Sequence, residues 1–111
     1  MDMIDIVNKG RYMKEQVREI LTAVIGEINE ELEYETLKKI EDKTPLFGGD
    51  DGIDSISLAR LISDIELAIS EKMNRKVILA DEKAMSVRNS PYRTVGTLTE
   101  FILARLAVPN G

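Results

Sequence analysis

Ser55 is the residue whose type and position in the chain best fit a chemical role. It stands in the run Gly52-Ile53-Asp54-Ser55-Ile56, which follows an acidic loop and opens a segment of helical apolar spacing. A serine in the first turn of a helix lies beside free backbone N–H groups and the positive end of the helix dipole. The position therefore favours a phosphodiester attached to the Ser55 hydroxyl.

Few other reactive groups are present in the sequence. The chain has no histidine and no cysteine, which excludes disulfides, cysteine nucleophiles and thiolate metal sites and removes the usual proton carrier at neutral pH. Only carboxylates, lysines and hydroxyls are left, so we do not expect an enzyme. No neighbouring group activates Ser55, and a separate enzyme has to supply the base for its modification.

Length and composition indicate one folded domain. The 111 residues are 43% hydrophobic and 32% charged, which is close to a globular average. No apolar run approaches the roughly 20 residues that span a bilayer, and the first residues carry acids where a signal peptide needs bases. We therefore expect a monomeric cytoplasmic protein with no membrane partner.

The charge is unevenly distributed along the chain. The net charge of -5 argues against binding to nucleic acid, since phosphate contact needs a basic surface. Residues 26–54 hold ten acids and three lysines, whereas residues 55–111 hold six acids and eight bases. The acidic stretch either attracts basic partners or is a solvated loop kept soluble by its charge.

Apolar spacing predicts an all-α fold with a long first connection. The first helix begins at Met13, after residues 1–12 that form a short leading turn or a loose tail, and the folded domain spans 13–106. A charged connection that can include a short helix then leads to the glycine-rich loop before Ser55. Residues 107–111 form a C-terminal tail.

The remaining helices follow from caps and apolar stripes. The second helix opens at Asp54 or Ser55 and runs to about Asn74. Residues 77–79 are compatible with a short strand, but the sequence offers no partner strand. We therefore predict a short helix near 81–85 instead. Thr94 caps the last helix, which ends near Leu106.

At this point the run TPLFGGDDGIDSISLARLI resembles the attachment signature of the acyl carrier protein family, with Gly52, Asp54, Ser55 and Ile56 in the family's order. The resemblance covers roughly residues 13–106. It implies a four-helix carrier bundle of three main helices and one short helix. It also implies a covalent 4′-phosphopantetheine on Ser55 that holds an acyl group as a thioester.

The resemblance further implies the site residues and the partners. Asp54 is the helix cap adjacent to the attachment point, and Ile56 and Arg60 are expected to contact partner proteins. Those partners are a phosphopantetheinyl transferase and acyl-transferring, chain-elongating or acyl-modifying enzymes of fatty-acid, polyketide or related specialised lipid biosynthesis. An acyl chain would lie among aliphatic and aromatic residues such as Ile62, Ile65 and Phe101.

Four features depart from the family pattern. Asp51 stands where an aliphatic residue is usual, the second helix is about one turn longer, and residues 86–93 look inserted. The exposed face of the second helix is also mixed in charge, where several acids are common. The cargo and the pathway therefore stay open.

Other readings of the sequence compete with the carrier. A calcium loop starting at Asp50 fails because Gly52 and Leu61 occupy the third and twelfth positions, where oxygen ligands are required. A helical protein–protein interaction module is the main alternative, and a carrier of an aminoacyl cargo shares the same fold and arm. The Asp before Ser55 favours an acyl carrier over a peptidyl one.

Overall fold

The computed structural model describes residues 3–48, 52–79 and 90–107, with residues 3–12 described by their backbone alone. Its regular elements are α1 (Met3–Leu32), a 3-10 helix (Glu35–Leu37), α2 (Ser55–Met73) and α3 (Val95–Ala107). The predicted all-α bundle is confirmed. The predicted short helix at 81–85, residues 86–89 of the 86–93 stretch and residues 108–111 lie outside the described residues.

The first helix is longer than the sequence analysis predicts. α1 starts at Met3 instead of Met13, so residues 3–12 continue the helix and are neither a separate turn nor a loose tail. Gly10 lies within this extension, and one glycine inside a helix costs only about 1 kcal/mol relative to alanine. No proline interrupts the segment, and the helix passes through it.

The three α-helices share one hydrophobic core. α1 packs against both α2 and α3, and the apolar stripe of each helix is buried at these contacts. The apolar stripes of α2 and α3 occupy this core, with Met73 and Phe101 only partly buried. The fully buried side chains from the helices include Val17, Leu21, Ile25, Leu58, Leu61, Ile65, Ile69, Leu98 and Ile102.

The connection after α1 contains the short helix that the sequence allows. α1 ends where Glu33 takes a positive φ of 57°, and the Asn29 side chain then hydrogen-bonds both the backbone N–H and the carbonyl of Tyr34. The 3-10 helix that follows buries Leu37 in the core. This charged segment is therefore attached to the bundle through a few apolar side chains.

Two extended segments lie beside the start of α3. The backbone N–H groups of Leu46 and Phe47 donate to the carbonyls of Arg93 and Tyr92, at 2.8 and 3.0 Å. The N–H groups of Val95 and Gly96 in turn donate to the carbonyls of Thr44 and Asp42, so the first connection supplies acceptors to the first turn of α3. This pairing joins the loop before Ser55 to the last helix.

Residues 74–79 have no regular secondary structure and no partner strand among the described residues. Val77 and Leu79 are buried, while Ile78 between them is 65% exposed. The Leu79 N–H donates to the Glu66 carboxylate at 2.8 Å, and the Leu79 carbonyl accepts from the hydroxyl of the fully buried Tyr92. Tyr92 thereby links the chain after α2 to the chain before α3.

Within the described residues, none of the helices combines the length and apolarity that crossing a bilayer requires.

Candidate functional site

Ser55 is the first residue of α2, and its side chain is exposed. Asp54 is the N-cap: its backbone is extended and its carboxylate accepts a 2.7 Å hydrogen bond from the Ser57 N–H. The sequence left the cap open between Asp54 and Ser55, and this bond assigns it to Asp54. Ser55 therefore lies in the first helical turn, and its side chain is not the cap of the helix.

The residues just before Ser55 are held against the core. Ile53 is buried, donates its N–H to the Leu46 carbonyl at 2.6 Å, and bridges to Phe47. Leu46 and Phe47 are buried as well and pair with the segment before α3. The backbone that presents Ser55 is thus fixed two residues before the hydroxyl.

Gly52 allows this close approach of the loop. A Cβ atom at position 52 would lie 2.9 Å from both the N and the O of Gly48, and 3.2 Å from the Leu46 carbonyl oxygen. Real Cβ atoms do not approach backbone atoms so closely. The glycine in the attachment motif therefore has a packing function in this structure, because any side chain there displaces the loop.

Asp54 is a charged, hydrogen-bonded cap. The backbone N–H of Ser57 contributes most to lowering the pKa of the Asp54 carboxyl below its ordinary 3.8, followed by the Ser57 hydroxyl. The N–H of Ile56 lowers this pKa further, while partial desolvation opposes the shift. The cap of α2 is thus a carboxylate at neutral pH, and it accepts from first-turn N–H groups that an attached phosphate group would otherwise find.

Ile56 is the most exposed large apolar side chain among the described residues, at 83%. The core stripe of α2 begins only at Leu58, so Ile56 makes no contribution to the packing of the bundle. Because Ile56 is exposed to water, it does not contribute the hydrophobic stabilisation that a buried isoleucine would give the fold. The resemblance expects Ile56 to contact partner proteins, and the structure leaves its side chain open to solvent.

Arg60 contacts α1 instead of standing free. Its guanidinium donates to both carboxylate oxygens of Glu31, at 2.5 and 3.2 Å, on the exposed side of the two helices. The hydrogen bond and charge of Arg60 lower the pKa of the Glu31 carboxyl, and the same contact raises the pKa of Arg60. The sequence predicted Arg60 as a partner contact but not this pair with Glu31.

The residues expected to hold an acyl chain fill the core. Ile65 is fully buried and Ile62 is 3% exposed, so both pack against the other helices. Phe101 is half-buried, with its ring edge-on to Tyr92 at 5.8 Å and the Arg105 guanidinium over its face at 5.0 Å. Phe101 also borders an open surface depression beside Pro91.

The described part of the chain holds no group of three or more carboxylates arranged to bind a metal ion. Asp50 and Asp51, which the calcium reading requires, lie outside the described residues.

Sequence reasoning missed three features of the structure around the site. These are the Glu31 partner of Arg60, the buried Tyr92, and the exposure of Leu67 within an apolar-periodic helix. For Leu67 a signal existed, because the position falls off the stripe of Leu58, Leu61 and Ile65.

Comparison with known proteins gave no match to a family model, to a curated protein or to a solved structure.

Proposed function

We propose that this chain is an acyl carrier protein. It carries a 4′-phosphopantetheine arm on Ser55 for fatty-acid, polyketide or related specialised lipid biosynthesis. The observation that carries the proposal is the exposed Ser55 at the first position of α2, between the capping Asp54 and the 83% exposed Ile56. The arm supplies a terminal thiol, which the cysteine-free chain lacks and which holds the cargo as a thioester.

The residues at this position fit a covalent phosphodiester. The Ser55 side chain is exposed, so an attached group needs no rearrangement of the core. The helix dipole favours a negative charge at the start of α2. The Asp54 carboxylate already takes the Ser57 N–H, which favours an arm that extends into solvent over one held on the backbone.

Ser55 serves as a passive acceptor in this proposal. The chain has no histidine, so the base that removes the hydroxyl proton belongs to the modifying transferase. Ile56 supports the proposal as an apolar contact for that enzyme and for later partners, because it is available without unfolding any part of the bundle. Arg60 is a second candidate contact, although its guanidinium is engaged by Glu31.

A helical protein–protein interaction module is the alternative function. It is favoured by Leu67 and Ile78, which are 60% and 65% exposed at a distance from Ser55. The cargo is a separate question, since an aminoacyl carrier needs the same serine and the same arm. An apolar cargo would have to find space beside Phe101 or displace core side chains such as Ile62.

The two functions are separated by enzymatic loading. The purified protein is incubated with coenzyme A and a broad-specificity phosphopantetheinyl transferase, and intact masses are compared for wild type, Ser55→Ala and Ser63→Ala. Ser63 is the matched control because it is an exposed serine of the same helix. The proposal expects one arm on wild type and on Ser63→Ala, and none on Ser55→Ala. If wild type stays unmodified with several transferases, the interaction module replaces the carrier.

A further inference from the structure

The chain that follows α2 lies on the core without pairing to another segment. We call residues 75–79 the strap. Among the residues that the structure describes, no backbone–backbone hydrogen bond joins the strap to the rest of the chain. Val77 and Leu79 are buried while Ile78 between them is exposed, so alternate side chains of the strap face the core. The buried backbone groups of the strap must therefore be bonded by side chains.

Three side-chain hydrogen bonds hold the strap. The Arg75 guanidinium donates to the Leu106 carbonyl near the end of α3, at 2.6 Å. The Glu66 carboxylate on α2 accepts from the Leu79 N–H at 2.8 Å, and the Tyr92 hydroxyl donates to the Leu79 carbonyl. Two of the three bonds thus meet at Leu79, whose side chain is fully buried. Breaking these bonds releases the strap without breaking any helix.

Tyr92 is bonded at both of its ends. Its hydroxyl binds the strap, and its backbone carbonyl accepts from the Phe47 N–H at 3.0 Å. Its ring is fully buried and lies edge-on to the Phe101 ring, with 5.8 Å between the ring centroids. Because a packed ring joins the two ends, a displacement of the hydroxyl also displaces the carbonyl.

Phe47 belongs to the loop that presents Ser55. It bridges to Ile53, and the carbonyl of the adjacent Leu46 accepts from the Ile53 N–H at 2.6 Å. Ile53 is buried and lies two residues before Ser55. A continuous path of covalent and hydrogen bonds therefore leads from the strap through Tyr92 to the candidate attachment residue.

We propose that Tyr92 is a positioning residue for Ser55. Its hydroxyl holds the strap and its carbonyl holds the loop at Phe47, so the strap and the loop open and close together. The closed strap keeps Ser55 in one orientation at the start of α2, and an open strap loosens the loop. The consequence for loading rests on the proposed function, whereas the coupling itself is a property of the unmodified fold.

The strap is the part of this path that opens most readily. Each α-helix is held by a ladder of backbone hydrogen bonds, whereas the strap depends on three side-chain bonds and on two buried side chains. A segment with so few bonds opens at a lower free energy than the bundle around it. The strap thus supplies the two arrangements, open and closed, that coupling between two sites requires.

Native-state hydrogen exchange of the unmodified protein measures this opening. Amide exchange is followed by NMR at rising concentrations of denaturant, all below the unfolding transition. We expect the amides of Leu79, Phe47 and Ile53 to exchange through one shared opening. That opening should depend less on denaturant than the exchange of α1 amides such as that of Leu21, because it exposes less surface.

A matched pair of variants tests the coupling. Glu66→Ala removes the acceptor of the Leu79 N–H and touches no part of the loop. It should speed the exchange of Leu79, Phe47 and Ile53 by about the same factor, on the order of tenfold. Glu71→Ala changes an exposed glutamate of the same helix by the same substitution, and it should leave the three rates unchanged.

Loading of Ser55 tests the positioning role. With coenzyme A and a phosphopantetheinyl transferase, Tyr92→Phe and Glu66→Ala should lower kcat/KM several-fold, because the enzyme then has to order a loosened loop. Ile25→Val is the control for stability, since it removes a buried methylene from α1 away from the strap. With every variant folded at the assay temperature, Ile25→Val should be loaded like wild type.

Three results would overturn the proposal. Phe47 and Ile53 amides that keep their wild-type exchange in Glu66→Ala would show that the strap and the loop are independent. The same amides exchanging only together with α1 would show that there is no separate opening. Equal loading of Tyr92→Phe and Ile25→Val would leave Tyr92 a structural role alone. If no transferase loads the wild type, the carrier function fails instead, and the exchange rates still decide whether Tyr92 couples the two segments.

Discussion

Arg60 of α2 and Glu31 of α1 form a two-bond ion pair, with N–O distances of 2.5 and 3.2 Å, five positions after Ser55. The pair joins the start of α2 to the end of α1, so these helices run antiparallel at the candidate site. Arg60 was expected to meet partner proteins, and in the free protein its guanidinium is already occupied. A partner that uses Arg60 has to share it with Glu31 or take it over.

A double-mutant cycle separates the two roles of Arg60. Arg60→Gln, Glu31→Gln and the double variant should lower the thermal midpoint non-additively, and the coupling should shrink at high salt because both side chains are largely exposed. If Arg60 also contacts the transferase, Arg60→Gln should slow loading of Ser55 more than Glu31→Gln does. Equal loading rates in the two single variants would show that Arg60 makes no contact with the transferase.

The Asp54 cap predicts a pH dependence with a defined sign. The pKa of Asp54 is lowered in the folded protein, so its charge stabilises the fold at neutral pH, and this contribution is lost as the pH falls through the folded-state pKa. Asp54→Asn keeps a good cap without the charge. The stability difference between wild type and Asp54→Asn should be constant above about pH 5 and shrink below the ordinary value of 3.8.

Chemical denaturation of both proteins across this pH range measures the Asp54 effect. Asp54→Ala, which removes the cap altogether, should be less stable than Asp54→Asn at every pH. A difference between wild type and Asp54→Asn that grows on acidification would contradict the assigned hydrogen bonds.

Gly52→Ala tests the packing of the loop before Ser55. The added Cβ meets Gly48 backbone atoms at 2.9 Å, so we expect a loss of about 1–3 kcal/mol in the free energy of unfolding. Gly26→Ala is the control, because nothing lies within 4 Å of a Cβ at that position inside α1, and it should raise stability by up to about 1 kcal/mol. Denaturant unfolding of both variants measures the contrast, and equal effects would refute the close approach.

Tyr92→Phe tests the link between the segments that follow α2 and precede α3. The change leaves the buried Leu79 carbonyl without its hydroxyl donor, which should cost about 1–3 kcal/mol. Tyr34→Phe is the control, since Tyr34 is half-buried and its hydroxyl has no bond among the described residues, and it should stay within about 0.5 kcal/mol of wild type. Thermal unfolding that ranks the two variants the other way would show that the link adds no stability.

The helical elements were predictable because their signals are local. The stripe of Leu58, Leu61 and Ile65 fixes which side of α2 is buried, and Asp54 and Thr94 are both caps in the structure. The extension of α1 to Met3 was not predicted. A glycine such as Gly10 disfavours a helix only weakly, so local propensity alone does not decide whether the helix continues through it.

The contacts of the site depend on the tertiary fold and could not be predicted from the sequence. Glu31 lies 29 positions before Arg60, and nothing in either segment indicates which of several acids meets the guanidinium. The same holds for Tyr92, whose hydroxyl bonds a carbonyl 13 positions earlier. The serine, its cap and its apolar neighbour were predictable, since all three lie within one helical turn.

The position of the arm after loading tests the assignment of Ser55 as the attachment residue. Wild-type protein treated with coenzyme A and the transferase is digested, and tandem mass spectrometry locates the modified residue. We expect a single phosphopantetheine on Ser55, with Ser57 and Ser63 unmodified. An arm on another residue, or no arm after treatment with several transferases, would contradict it.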